Sequence, residues 1–100
     1  MQTNTIFIVL LKFSTNIGQA SEFVEEHNKW IKQGFKDGVF LVVGSLKPNL
    51  GGGILAHNVS LSDIQDRVKN DPFVRENIVS SEIHEIALSK VHDQLDSLFG

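Results

Sequence analysis

Residues 5 to 12, Thr-Ile-Phe-Ile-Val-Leu-Leu-Lys, are apolar or β-branched almost without a break, and the polar cluster Ser14-Thr15-Asn16 follows at once. Such a run reads as a strand and its turn. An antiparallel strand at the surface of a small domain should alternate, with one face packed on helices and the other wet. A strand apolar on both faces has to be covered twice, and nothing else in the sequence limits the fold as strongly.

After Asn16 the period changes. Ala20, Phe23, Val24, His27, Trp30, Ile31 and Gly34 recur at helical spacing, while Glu22, Glu25, Glu26, Lys29, Lys32 and Lys36 fall outside that stripe. This predicts an amphipathic helix from about Asn16 to Asp37, capped by Asn16 with Gln19 or Ser21 and closed by Gly38 in the left-handed conformation. Its acids come early and its lysines late, as the helix dipole prefers. Val39 to Leu46 is a second apolar run. Lys47 to Gly53 reads as a loop, and Ile54 to His57 as a short third strand.

Leu61, Ile64 and Val68 mark one face of a second helix, with Ser60 and Asp63 placed as a capping box and Asn70-Asp71-Pro72 ending it. One more turn is expected from Phe73 to Asn77, a fourth strand from Val79 to Leu88, and a short tail helix around Leu95, Leu98 and Phe99. The order β-α-β-β-α-β is that of the α+β, ferredoxin-like split βαβ arrangement: a four-stranded antiparallel sheet with its helices on one face. A chain of 100 residues supports a single domain spanning 1–100. Helices on one face leave the other apolar side of strands 1 and 2 bare, so a second copy packed sheet against sheet, a homodimer, is expected.

Charge and cysteine content narrow the partners. Nine Lys and Arg against twelve Asp and Glu give a formal charge of -3, which makes nucleic acid an unfavourable partner. No cysteine is present, so disulfide frameworks and thiol chemistry are out of reach and the cytoplasm is the expected compartment. Ile6 to Leu11 is far shorter than the roughly 20 apolar residues that span a bilayer, and no basic residue precedes it as in a signal peptide, so no membrane association is expected.

His27 stands out because, at 100° per residue, it lies within about 20° of Ala20 and beside Val24 and Ile31, inside the apolar stripe. Burial favours neutral imidazole, the form a general base needs, and a nearby carboxylate would fix the tautomer. A core histidine bonded to a backbone carbonyl satisfies the same pattern. Asp71 is the candidate partner, held in Asp71-Pro72-Phe73, although Asp before Pro is also a good N-cap and N1 pair. Both roles are compatible, since a carboxylate offers about four acceptor sites.

Trp30 shares the His27 face and is placed to wall a pocket, with core or interface packing the more frequent use of such a residue. Gly51-Gly52-Gly53 lacks the Lys-Ser/Thr ending of a phosphate loop, which leaves hairpin flexibility or close backbone approach as its purpose. His57, His84 and His92 have no partner at metal-ligand spacing, so neither a metal nor a cofactor is expected.

The set His27-Asn28-Lys29-Trp30-Ile31, Gly38, Gly44-Ser45-Leu46, Gly52-Gly53-x-Leu55 and Asp71-Pro72-Phe73 resembles the YciI-like (YCII-related) family over residues 5 to 86. The resemblance implies a dimeric α/β-barrel of ferredoxin-like subunits and a site built on a histidine and an aspartate, which map onto His27 and Asp71. Ser45 stands where the family commonly has Pro and Asn77 where Gly often follows, and the aromatic usual near the end of the last strand is absent around Leu88 to Val91.

The function expected is a cofactor-free enzyme of isomerase or lyase type on a small cyclic or aromatic molecule. His27 and Asp71 would handle the proton, and Trp30, Gly44, Ser45 and Phe73 would contact the substrate. Its rival is a non-catalytic dimeric module with a buried His-Asp pair; a cofactor-independent monooxygenase rests on fold analogy alone. An open pocket touching both members of the pair favours the enzyme, and solid packing around His27 the rival.

Overall fold

The structure, a computed structural model, describes residues 4–99, and the outermost residues of the span assigned to the domain lie outside them. Strand β1 (Thr5–Phe13) runs through the middle of the sheet, between β3 (Gly51–His57) and β4 (Val79–Ala87), and β2 (Phe40–Leu46) flanks β3. All three pairings are antiparallel in the order β2-β3-β1-β4. Helices α1 (Ala20–Lys36), α2 (Leu61–Lys69) and the short α3 (Pro72–Arg75) complete the βαββαβ core, and α4 (Asp96–Phe99) ends the chain. This is the ferredoxin-like α+β fold, the subunit from which dimeric α/β-barrels are built.

The period-2 rule sorts the central strand. Phe7, Val9 and Leu11 point to the helix side and are buried with Ile54, Ala56, Ile64, Val68 and Ile78. The ladder puts Ile6, Ile8 and Leu10 on the opposite face, level with Leu55 and Val42 on one side and Ile86 on the other. That outer face is less uniformly apolar than the sequence suggests, because β4 contributes Glu82 and His84 to it, and Phe99 packs edge-on against His57 at one end. A register shift between Phe40 and Val42 turns Val42 outward, where it is 56% exposed.

Two expectations need correction. The third strand begins at Gly51 rather than at Ile54, because strand pairing uses only main-chain groups and the three glycines join the ladders to β1 and β2. At Gly51, with φ 137°, a side chain would collide with the Leu11 backbone, so close approach accounts for that glycine. Neither Asn16 nor Gln19 caps α1, which follows a 3-10 turn at Ile17–Gln19. Asn16 instead donates from Nδ2 to the Glu76 carbonyl at 2.9 Å, tying the entry of α1 to the α3–β4 connection.

Other signals act as expected. Gly38 takes a positive φ of 75° after α1, Ser60 accepts from the Asp63 amide at 3.1 Å to cap α2, and Asn77 adopts a φ of 59°. No helix among the described residues is long and apolar enough to cross a membrane.

Candidate active site

Helix α1 carries His27 toward the sheet, and the turn between α2 and α3 brings Asp71 beneath it. Pro72 fixes the N1 backbone of α3, and Asp71 in extended conformation caps that helix by accepting from the Phe73 amide at 3.1 Å. The same oxygen, Oδ1, lies 2.7 Å from His27 Nδ1. Because a carboxylate only accepts, Nδ1 carries the hydrogen and donates it, which leaves Nε2 as the ring position open to other partners.

Asp71 is completely buried, whereas the His27 side chain keeps 13% of its surface. Oδ2 of Asp71 has no hydrogen-bond partner among the described residues. A buried carboxylate with one bare oxygen is costly, and such groups persist where something other than stability selects them. The Phe73 ring lies parallel to the imidazole at 3.9 Å and 3°, fixing its plane.

One edge of His27 borders a cavity of about 210 Å³ between α1 and the sheet. Its walls are mainly apolar, from Leu11, Phe13, Ile31, Val43, Ile54 and Phe73, and β2 and β3 close it with Gly44, Ser45 and Gly51 to Gly53. His27, Phe73, Ser45 and Gly44 therefore meet around one space, as grouped from the sequence. Asp71 does not line that space; it stands behind the imidazole, bonded to its Nδ1.

Trp30 does not line it either. Its ring sits 6.0 Å from His27 and edge-on to Phe40 at 5.1 Å, its indole N–H donates to the Arg67 carbonyl at 3.0 Å, and it borders a groove beside α2. Trp30 is packing that joins the two long helices, since a buried indole N–H needs an acceptor and the last turn of α2 supplies one. Phe13 and Ile31 carried no sequence signal as cavity walls: Ile31 reads as an ordinary member of the apolar stripe of α1, and Phe13 lies just past the apolar run of the first strand.

Two surface pairs carry shifted carboxyl groups. Asp37, past the end of α1, is held below the usual carboxylate range by the hydrogen bond from Gln33 and then by Arg67, whose guanidinium is 3.1 Å away. Glu82 on the outer face is lowered by its hydrogen bond with His84 at 2.8 Å and by the nearby Lys12. Among the described residues no three His, Cys, Asp or Glu side chains gather as metal ligands would.

No family model and no curated protein matches the sequence. Among solved structures, the fold is similar to that of a 5-chloro-2-hydroxyhydroquinone dehydrochlorinase from Burkholderia phenoliruptrix AC1100 in complex with 2,5-dihydroxybenzoquinone. The TM-score is 0.65 and the identity 13%, over 89% of this chain and 96% of that one. At that identity the likeness establishes the shared α+β architecture.

Proposed function

We propose that this chain is a YciI-like protein acting as a homodimeric, cofactor-free isomerase or lyase on a small cyclic or aromatic molecule, with His27 as its general base and acid. The observation that carries the reading is an imidazole bordering an apolar cavity and oriented from behind by a fully buried carboxylate. An engineered cavity of about 150 Å³ admits benzene, so a space of about 210 Å³ suits a single substituted ring. A neighbour of the same fold that is a dehydrochlorinase, in complex with a small quinone, supports this substrate class.

In the proposed reaction Nε2 of His27 accepts a proton from an acidified ring carbon. The electron pair passes to an oxygen on the ring as an enolate, or expels a leaving group. The imidazolium then returns its proton to another carbon, completing an isomerisation, or loses it to solvent after an elimination. Asp71 positions the ring, keeps Nδ1 protonated and balances the imidazolium charge. A base so placed contributes typically 10² to 10⁴ in rate. The outer sheet face would pair with that of a second copy, and the lack of cysteine fits a cytoplasmic setting.

The test is to incubate the protein in D2O with a panel of monocyclic quinols, chlorinated phenols and unsaturated lactones, following deuterium uptake and chloride release. At least one compound should react with the native chain and not with His27→Ala. Equal behaviour of the two proteins across the panel would sink the reading. The non-catalytic alternative draws on two observations: the cavity touches His27 but not Asp71, and Asp71 also caps α3, a duty that needs no substrate.

A further inference from the structure

Three consecutive glycines border the cavity, and their reasons differ. Gly51 is forced by its φ of 137° and by the Leu11 backbone, and a side chain at Gly53 would turn toward Leu46 on the outer face. Gly52 has neither constraint. The ladders place it opposite Leu11 and Ser45, on the cavity side of the sheet. A Cβ there would meet nothing nearer than the Gly44 carbonyl oxygen at 3.4 Å, an ordinary contact. The backbone accepts a side chain at 52, so what its absence supplies is empty volume in the cavity floor.

Beside that empty place, on the neighbouring strand, stands the Ser45 hydroxyl, which makes no hydrogen bond among the described residues. Apart from His27 it is, among the described residues, the one hydrogen-bonding side chain lining the cavity. His27 reaches the cavity from α1, while Gly52, Ser45 and Val43 bound it from the sheet, so a ring held against the imidazole meets this sheet floor on its other side.

We infer that Gly52 is the specificity-determining position of this site, setting how large a substituent the ring can carry on its far edge, with Ser45 beside it to hydrogen-bond a polar one. The inference rests on the cavity being the binding site proposed above, and it concerns selection among ligands rather than the proton transfer. A slot one side chain deep distinguishes ligands by single methylene groups, each worth about a fourfold change in affinity. A hydroxyl facing the slot favours an OH-bearing ring over its CH3 counterpart.

The experiment measures binding of phenol, 4-methylphenol, 4-ethylphenol, 4-propylphenol and benzene-1,4-diol to the full chain and to Gly52→Ala, Gly52→Val and Ser45→Ala. Gly52→Ala should hold phenol within about twofold and weaken the longest accepted alkylphenol by fourfold or more, and Gly52→Val should move the cut-off further. Ser45→Ala should narrow the preference for benzene-1,4-diol over 4-methylphenol by about tenfold.

Should Gly52→Ala fail to fold, Ser45→Val narrows the same slot from β2 and must produce the same cut-off. An unchanged series in the Gly52 variants, or equal weakening of every probe, overturns the inference and leaves the role of His27 to its own test. A native chain that binds none of the probes overturns the inference and leaves the proposed function to the panel described above.

Discussion

Replacing Asp71 in two ways separates what the carboxyl group does as an acceptor from what it does as a charge. Alanine at 71 removes the cap on the Phe73 amide, worth about 1 kcal/mol, and leaves the His27 Nδ1 hydrogen without an acceptor, worth about 1 to 3 kcal/mol. Loss of the unpartnered Oδ2 returns part of this, so Asp71→Ala should cost about 2 kcal/mol. For a domain of this size that lowers Tm by about 8 to 16 °C.

Asp71→Asn behaves differently. The Phe73 amide holds the carbonyl oxygen of the new side chain where Oδ1 was, so both hydrogen bonds survive. The one from His27 falls from a charge-assisted to a neutral bond, a loss of about 1 kcal/mol. Burial of an uncharged group offsets much of that loss, which keeps the variant within about 1 kcal/mol of the native chain. Urea and thermal unfolding of the three proteins at one pH measure the difference. If Asp71→Asn falls as far as Asp71→Ala, the negative charge itself holds the turn and the acceptor account is wrong. If Asp71→Ala melts with the native protein, the bonds contribute nothing.

Gly34→Ala should lose about 1 to 3 kcal/mol in chemical unfolding, because the added methyl would run into the Phe40 ring in a packed core. Light scattering should give twice the mass of one chain at micromolar concentration, and Ile8→Lys on the outer face should return it to a monomer with an unchanged far-ultraviolet spectrum. Asp37 has a folded pKa below its unfolded one, so its contribution is present above the ordinary carboxylate value and is lost as pH falls through the folded value. The gap in Tm between the native chain and Asp37→Asn, open at pH 7, should therefore close as pH drops below about 4.

The element order and the His-Asp meeting were legible because each rests on signals that the residues carry locally, although the two members of the pair lie far apart in the chain. Hydrophobic periods fix strands and helices, and an imidazole inside an apolar stripe asks for an acceptor. Position 71 could be singled out because Asp-Pro-Phe marks a turn where a carboxylate is held still. The cap of α1 was misread because Asn16 satisfies a carbonyl 60 residues further along the chain, a partner no local rule supplies. Trp30 was ambiguous for the same reason: whether an indole walls a pocket or bridges helices depends on the Arg67 carbonyl it finds. The triple glycine looked like one feature and is three, since the ladder alternates the sides on which their absent side chains would stand.

The acceptor that aims the imidazole also fastens the first turn of α3, and it lies 44 positions along the chain from the histidine it holds. A nascent or partly opened molecule therefore holds a histidine with no tautomer imposed on it, and on the proposed function reactivity would arrive only with tertiary closure. On that proposal, loosening of the segment around 71 would disarm the site well before the sheet comes apart, so loss of any turnover should precede loss of strand structure on heating.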